Sequence, residues 1–240
     1  MKKNIIFIAF NNYYFTSSLF PVLMLFFLFP LLVYLGFWQI HRGNTKHYIQ
    51  KIVSQRSAST PINLNQMKNI GLEKNYFPGT VRGHFDNAHT FLLENRIYLH
   101  KIGYEVLTPF FLNNQPKALL VNRGWIPQGI NRKQIPKISA LNNKLNLQGL
   151  IVFPHKTFSF KPINENGWPK KIQSIYPDFL KKNNFQPFLL VVHTQQTYSF
   201  IPLWKPMTLH AERHYAYAFQ WFGLSITLLI AFFSTHIHRL

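Results

Sequence analysis

Cysteine is absent from the 240 residues, which excludes a disulfide scaffold, a thiolate metal site, a redox CxxC pair and a cysteine nucleophile. Acids are scarce as well: seven Asp and Glu stand against 26 Lys and Arg, for a net charge of +19. Seven carboxylates scattered along the chain argue against a hydrolase built on a close carboxylate pair. Charged residues make up only 14% of the chain and aromatics 17%, the reverse of a disordered, solvated tail. No G-x-G-x-x-G, P-loop, G-x-S-x-G or H-E-x-x-H motif is present. The run His210-Ala211-Glu212-Arg213-His214 looks superficially like a zinc-protease helix. Its Glu212 lies two residues from each histidine, about 200° around a helix, and so cannot serve the same metal face. There is no internal repeat and no low-complexity linker.

Hydrophobic residues, by contrast, reach 47% and are unevenly placed. Between Asn4 and Ile40 there is no charged residue and no histidine, and the densest part runs from Leu19 to Trp38. About 20 apolar residues rising ~1.5 Å each cross the ~30 Å hydrocarbon layer. Pro21 and Pro30 are tolerable in such a helix, because neighbouring groups satisfy the freed carbonyls. A second uncharged stretch, Tyr215 to Thr235, starts with aromatics and ends before His236, His238 and Arg239, as interfacial anchoring requires. A cleaved signal peptide fits the Lys2-Lys3 start, but Asn11-Asn12 interrupts the apolar run, and cleavage near Ser18 would still leave the span. The first 40 residues carry no arginine, against a mitochondrial transit peptide. These patterns predict residues 1–18 as a short N-terminal segment, 19–40 and 214–235 as transmembrane helices, 41–59 as a helical extension of the first, and 236–240 as a tail. In that tail His236-x-His238 reads as a cationic end before it reads as a weak metal site.

Topology is balanced on the residues alone. Arg42, Lys46, Lys51 and Arg56 flank the first span on its loop side, against Lys2 and Lys3 on the other. A loop of about 170 residues, however, translocates largely regardless of its charge.

Residues 60–213 read as a β-rich domain. Thr80–Phe85, Thr90–Tyr98, Tyr104–Leu112, Ala118–Trp125, Leu145–Phe153 and Phe188–His193 are runs of β-branched and aromatic residues, with turn clusters between several of them. Their spacing predicts consecutive antiparallel strands, with one short helix over Tyr176–Asn184. The fold class expected is a membrane protein with two transmembrane helices flanking an antiparallel β-rich (α+β) domain outside the bilayer. No nucleic-acid-binding module accompanies the basic charge, and an anionic membrane surface is the simpler partner for a domain tethered at both ends.

One constellation stands out at the membrane boundary. His214, Tyr217, Trp221 and Leu224 share a helical face at the start of the second span, and Leu35, Trp38, Gln39 and Arg42 share one at the end of the first. An imidazole at that depth can serve as an axial ligand for haem iron, and a guanidinium can pair with propionates. The simpler reading of the residues alone gives Trp38 and Trp221 to the interfacial aromatic belt, and Arg42 and His214 to lipid phosphates.

The same residues carry a family resemblance. The runs Leu35–Arg42 (LGFWQIHR) and His214–Phe222 (HYAYAFQWF) resemble the two membrane signatures of the surfeit locus protein 1 family. Between them Val81–Asp86 (VRGHFD), Glu94–Arg96 (ENR), Gly103–Pro109 (GYEVLTP) and Val121–Pro127 (VNRGWIP) follow in the family's order and spacing. Residues 113–117 lack the Asp-Gly turn common there, and Arg213 stands where many members have Asn. The resemblance implies a non-enzymatic assembly factor for haem-copper cytochrome c oxidase, in the bacterial inner membrane with the β domain in the periplasm. It implies haem a as a transient cofactor, with the histidine matching His214 as iron ligand; Tyr217, Trp221, Arg42, Trp38 and Gln39, from the two helix faces above, are the residues expected around it. The oxidase's catalytic subunit, the haem a synthesis machinery and membrane lipid are the implied partners, and a scaffold that never touches haem is the alternative. Gly83, Gly103 and Gly124 are expected at turns or bulges. Asn95, Arg96, Tyr104, Pro109, Asn122, Arg123 and Trp125 are assigned to the fold or to a partner surface.

Overall fold

The computed structural model describes residues 6–10, 13–67, 69–113, 115–129, 136–155, 167–192, 198–204 and 211–239. The elements run β1 (Ile6–Phe10), β2 (Tyr13–Ser17), α1 (Leu19–Ser57), β3 (Ile62–Asn63), β4 (Pro78–Phe85), β5 (Phe91–Tyr98), β6 (Lys101–Leu112), β7 (Ala118–Pro127) and β8 (Leu145–Val152). After these come β9 (Lys170–Ile172), α2 (Pro177–Lys182), β10 (Phe185–Val191), α3 (Ala211–His236) and β11 (Ile237–Arg239). They form two compact units, Ile52–Pro206 and the terminal segments Met1–Lys51 with Met207–Leu240.

The terminal unit is built on α1 and α3, both long and apolar enough to cross a membrane. Pro21 sits in the first turn of α1, where its missing N–H costs nothing, and the helix continues through Pro30. Its 39 residues extend about 58 Å, so the helix outruns any bilayer core, and its polar last third leaves the membrane. The buried positions are Leu32, Gly36 and Gly43 on α1, and Ala211, Ala218, Ser225 and Phe232 on α3. On α3 they recur every seven residues, the spacing of a left-handed coiled-coil seam. Most are small, because helices gain nothing in lipid by hiding large apolar side chains; they associate where small residues let backbones approach. A Cβ on Gly36 would lie 2.6 Å from the Phe222 ring, and one on Gly43 2.6 Å from the Tyr215 ring. At the other end β2 pairs with both β1 and β11, and Phe15 packs on Phe232 and His236. His236 is stacked on Phe232 and His238 lies over Tyr14, so the two tail histidines are aromatic contacts of this small sheet.

The β unit is an eight-stranded sheet in the order β3-β4-β8-β10-β7-β6-β5-β9, closed by an added pairing of β4 with β6. Strands β4, β8, β10, β7 and β6 thus form a ring, a small barrel-like arrangement. Alternation along these strands sends Val81, Phe85, Phe110, Leu119, Val121, Leu147, Ile151, Phe188 and Leu190 into one core. The opposite faces of β7, β8 and β10, with Phe91 and Leu93 of β5, form a second core capped by Leu180 of α2. A third, smaller cluster joins Leu92, Tyr104, Val106 and Ile126.

Six strands and the short helix fall where the sequence predicts them, within a few residues. The strand order does not follow chain order: β10 inserts between β7 and β8 and runs parallel to β7, while β3 pairs in parallel with β4 and β9 with β5. A purely consecutive antiparallel arrangement is therefore corrected. Partner choice in a sheet is a long-range property, and local alternation carries no record of it.

Candidate functional site

Of the two predicted faces at the helix boundary, one residue from each side meets the other directly. His214 lies one turn into α3 and Gln39 in the middle of α1, on the same flank of the small-residue seam. Gln39 Oε1 lies 2.8 Å from His214 Nδ1. A carbonyl oxygen only accepts, so Nδ1 is the donor, and in the neutral ring this arrangement puts the lone pair on Nε2. Nε2 is buried and has no hydrogen-bond partner among the described residues. A second interhelical hydrogen bond runs from the Tyr215 hydroxyl to Asn44 Oδ1 at 2.9 Å.

The other predicted residues lie on the same two helices. Trp221 is half-buried, while Trp38 and Tyr217 are exposed. Arg42 is exposed too, with its guanidinium 5.6 Å from the Trp38 ring centre. Asn44, Tyr215 and the glycines of the seam escaped the sequence reading, whose faces were drawn through large aromatic residues. The recurrence of Ala211, Ala218 and Ser225 at seven-residue intervals was the available signal. His210, first histidine of the zinc-protease-like run, lies outside the described residues.

The comparison with known families matches residues 26–226 to the SURF1 family, a range that contains both helix-boundary runs and the whole β unit. The chain belongs to the SURF1 family. It is 28% identical to a SURF1-like protein of Rickettsia prowazekii over 215 residues, 85% of this chain and 84% of that one. It is 26% identical to surfeit locus protein 1 of Xenopus tropicalis, covering 79% of this chain and 67% of the relative. For surfeit locus protein 1 of Rattus norvegicus the figures are 24% identity, 85% and 72%.

In this SURF1 family member, three of the four runs between the membrane signatures, those on β5, β6 and β7, meet at two adjacent β-bulges. On β7 the residues Arg123 and Gly124 oppose the single residue Val106 of β6; on β5 Glu94 and Asn95 oppose Tyr104. Gly124 takes φ +108°, where a side chain is strained, and a Cβ there would meet the Ile201 carbonyl at 2.7 Å. Asn95 supplies the positive φ (60°) of the other bulge. Gly83 and Gly103, expected at turns or bulges, instead sit inside β4 and β6, where a Cβ would collide with the Phe111 and Ile126 carbonyls. Pro109 lies within β6, where its carbonyl accepts from the Asp86 N–H. Tyr104 and Trp125 are packed side chains, and the Trp125 indole N–H donates to the Arg96 carbonyl at 2.9 Å.

The bulges aim Asn122 and Arg123 to opposite faces, and both are buried. Arg123 enters the barrel core between the Phe85 and Phe200 rings, 4.9 Å from each centre, and donates through Nε to the Tyr198 carbonyl. Burial pulls its guanidinium down to about 10. Asn122 accepts from the Gly124 N–H at 3.0 Å and donates to Glu105 Oε2 at 2.8 Å. Glu105 is buried, and desolvation raises its carboxyl above the usual range, against the opposing pulls of Arg96 and Asn122. The sequence reading passed over Glu105, although an acid within an apolar strand was a visible signal.

Proposed function

We propose that this chain is a membrane-bound, non-enzymatic assembly factor for haem-copper cytochrome c oxidase, and that its helix pair holds haem a in transit through His214. Membership of the SURF1 family supports the oxidase role. The observation that supports the haem reading is the His214–Gln39 hydrogen bond, which fixes the ring's tautomer and leaves a buried, unpartnered Nε2. Ligating histidines are held in this way, with the far nitrogen donating to a carbonyl or carboxylate. His214 would hold haem a through Nε2, and the haem would supply the iron that this nitrogen ligates. Gln39 orients the imidazole, Trp221, Tyr217 and Trp38 offer aromatic surface, and Arg42 provides a cation for propionates. In this reading both termini are cytoplasmic and the β domain is outside, in the bacterial periplasm. The oxidase's catalytic subunit and the haem a synthesis machinery are its partners.

The interhelical Tyr215–Asn44 bond favours a second reading, a haem-independent scaffold in which His214–Gln39 is likewise adhesive between helices. Purification from cells making haem a separates the two. The haem reading expects a bound-haem absorption spectrum that is lost in His214→Ala and weakened in Gln39→Leu, with both variants still inserted in the membrane. A colourless wild type, or an unchanged spectrum in His214→Ala, overturns it. For orientation, an export-dependent reporter inserted beside Gln115 is expected to be active; activity of a cytoplasm-only reporter there refutes the arrangement.

A further inference from the structure

The β unit contains a cleft that has no part in the haem reading. This cleft, of about 450 Å³, opens where the second core runs out beyond α2. Its walls are apolar and aromatic, led by Tyr76, Phe153, Ile175 and Trp204, and its floor is polar, built from Glu105, Arg96, Asn122 and Ser174. This volume exceeds the space of a bridging water, about 30 Å³, more than tenfold, and falls in the range of small-molecule sites.

The floor has unused hydrogen-bonding capacity of a particular kind. Glu105 Oε2 is taken by Asn122, while Glu105 Oε1 faces Arg96 Nε at 3.8 Å, too far for a hydrogen bond. Arg96 Nε and Ser174 Oγ are both buried, and neither has a hydrogen-bond partner among the described residues. An acceptor and a donor thus lie side by side, with a hydroxyl in the same cleft. The lining holds one carboxyl and one guanidinium, with His155 and Gln173 as further polar side chains, so an anionic head meets Glu105 and a cationic head meets Arg96. A neutral hydroxyl satisfies both groups at once, donating to Glu105 Oε1 and accepting from Arg96 Nε.

We infer that this cleft binds an apolar small molecule headed by a single neutral hydroxyl, an alcohol or a phenol. Asn122 and Arg96 each stand next to a bulge, at the last regular pair before or after the extra residue, and both line the cleft.

The test uses the full chain in lipid nanodiscs, without haem, with empty nanodiscs subtracted. The probe is 4-phenylphenol, titrated by calorimetry against 4-methoxybiphenyl, which keeps the shape and loses the donor. Saturable one-site binding of the phenol is expected, roughly 10- to 100-fold tighter than the ether. Glu105→Leu is expected to remove that preference. Ser174→Trp, which fills the cleft and leaves the Glu105–Asn122 pair intact, is expected to abolish binding even if Glu105→Leu folds poorly. Equal uptake of phenol and ether, or undiminished binding in Ser174→Trp, overturns the inference. Neither outcome bears on the His214 spectrum.

Discussion

The two units solve the problem of cohesion in opposite ways. The helix pair is joined by glycines, alanines and a serine with two polar side-chain bonds across the seam, while large residues such as Phe26, Phe27 and Phe219 face outward. The β unit hides most of its large residues, and of its buried charged residues Glu94, Glu105 and Arg123 lie at or beside the bulges while Lys171 lies on β9. The difference follows from the solvent. In lipid a phenylalanine loses nothing by facing out, so close approach and hydrogen bonds decide which faces meet. In water apolar burial decides, and a polar group inside must be held by partners.

The largest expected effect sharpens this contrast within the β unit. Gly124→Val puts a β-branched residue at positive φ against the Ile201 carbonyl. A loss of about 3 kcal/mol or more is expected, read as a drop in the β unit's unfolding midpoint by tryptophan fluorescence. Gly36→Leu is the counterpart in the helix pair, driving a side chain into Phe222. It is expected to separate the helices and disrupt the His214–Gln39 bond, while shifting the β unit's midpoint by less than about 0.5 kcal/mol. Equal destabilisation of the β unit by this variant breaks the claim that the two units cohere independently.

A smaller effect concerns Glu105. Burial raises its carboxyl above the ordinary carboxylate value in the folded state, so folding favours its protonated form relative to the unfolded chain. The folded chain binds more protons than the unfolded one above that value, so this group's stability contribution is full at lower pH and lost as pH rises through the folded value. Glu105→Gln is expected to flatten that part of the stability–pH profile. An unchanged slope between the unfolded value and neutrality removes Glu105 as its source. Smallest of all, Tyr215→Phe loses one exposed interhelical hydrogen bond and is expected to cost about 0.6 kcal/mol. A double cycle with Asn44→Ala measures it; no coupling between the two refutes the bond's contribution.

Much of this was legible in the residues. Charge-free runs marked the spans, and runs of β-branched and aromatic residues between turn clusters marked β4 to β8 and β10. The boundary constellation put His214 and Gln39 in the right neighbourhood, yet it gave the packing face to Tyr217 and Trp221, where small residues hold it. β1 and β2 went unread because an apolar run broken by Asn11-Asn12 looks the same before a membrane helix whether or not it forms a hairpin. The bulges went unread because an extra residue in a strand shows only against its partner.

By itself, then, the amino-acid order determined that two helices cross a membrane and that the residues between them form strands. Those properties follow from hydrophobicity and its period within one segment. Tertiary structure alone decided that β10 lies between β7 and β8, that Gly36 meets Phe222, and that Glu105, Asn122 and Arg96 share one cleft. Each of these depends on pairing residues far apart in the chain, and the free energy that selects the pairing exists only once both partners are in place.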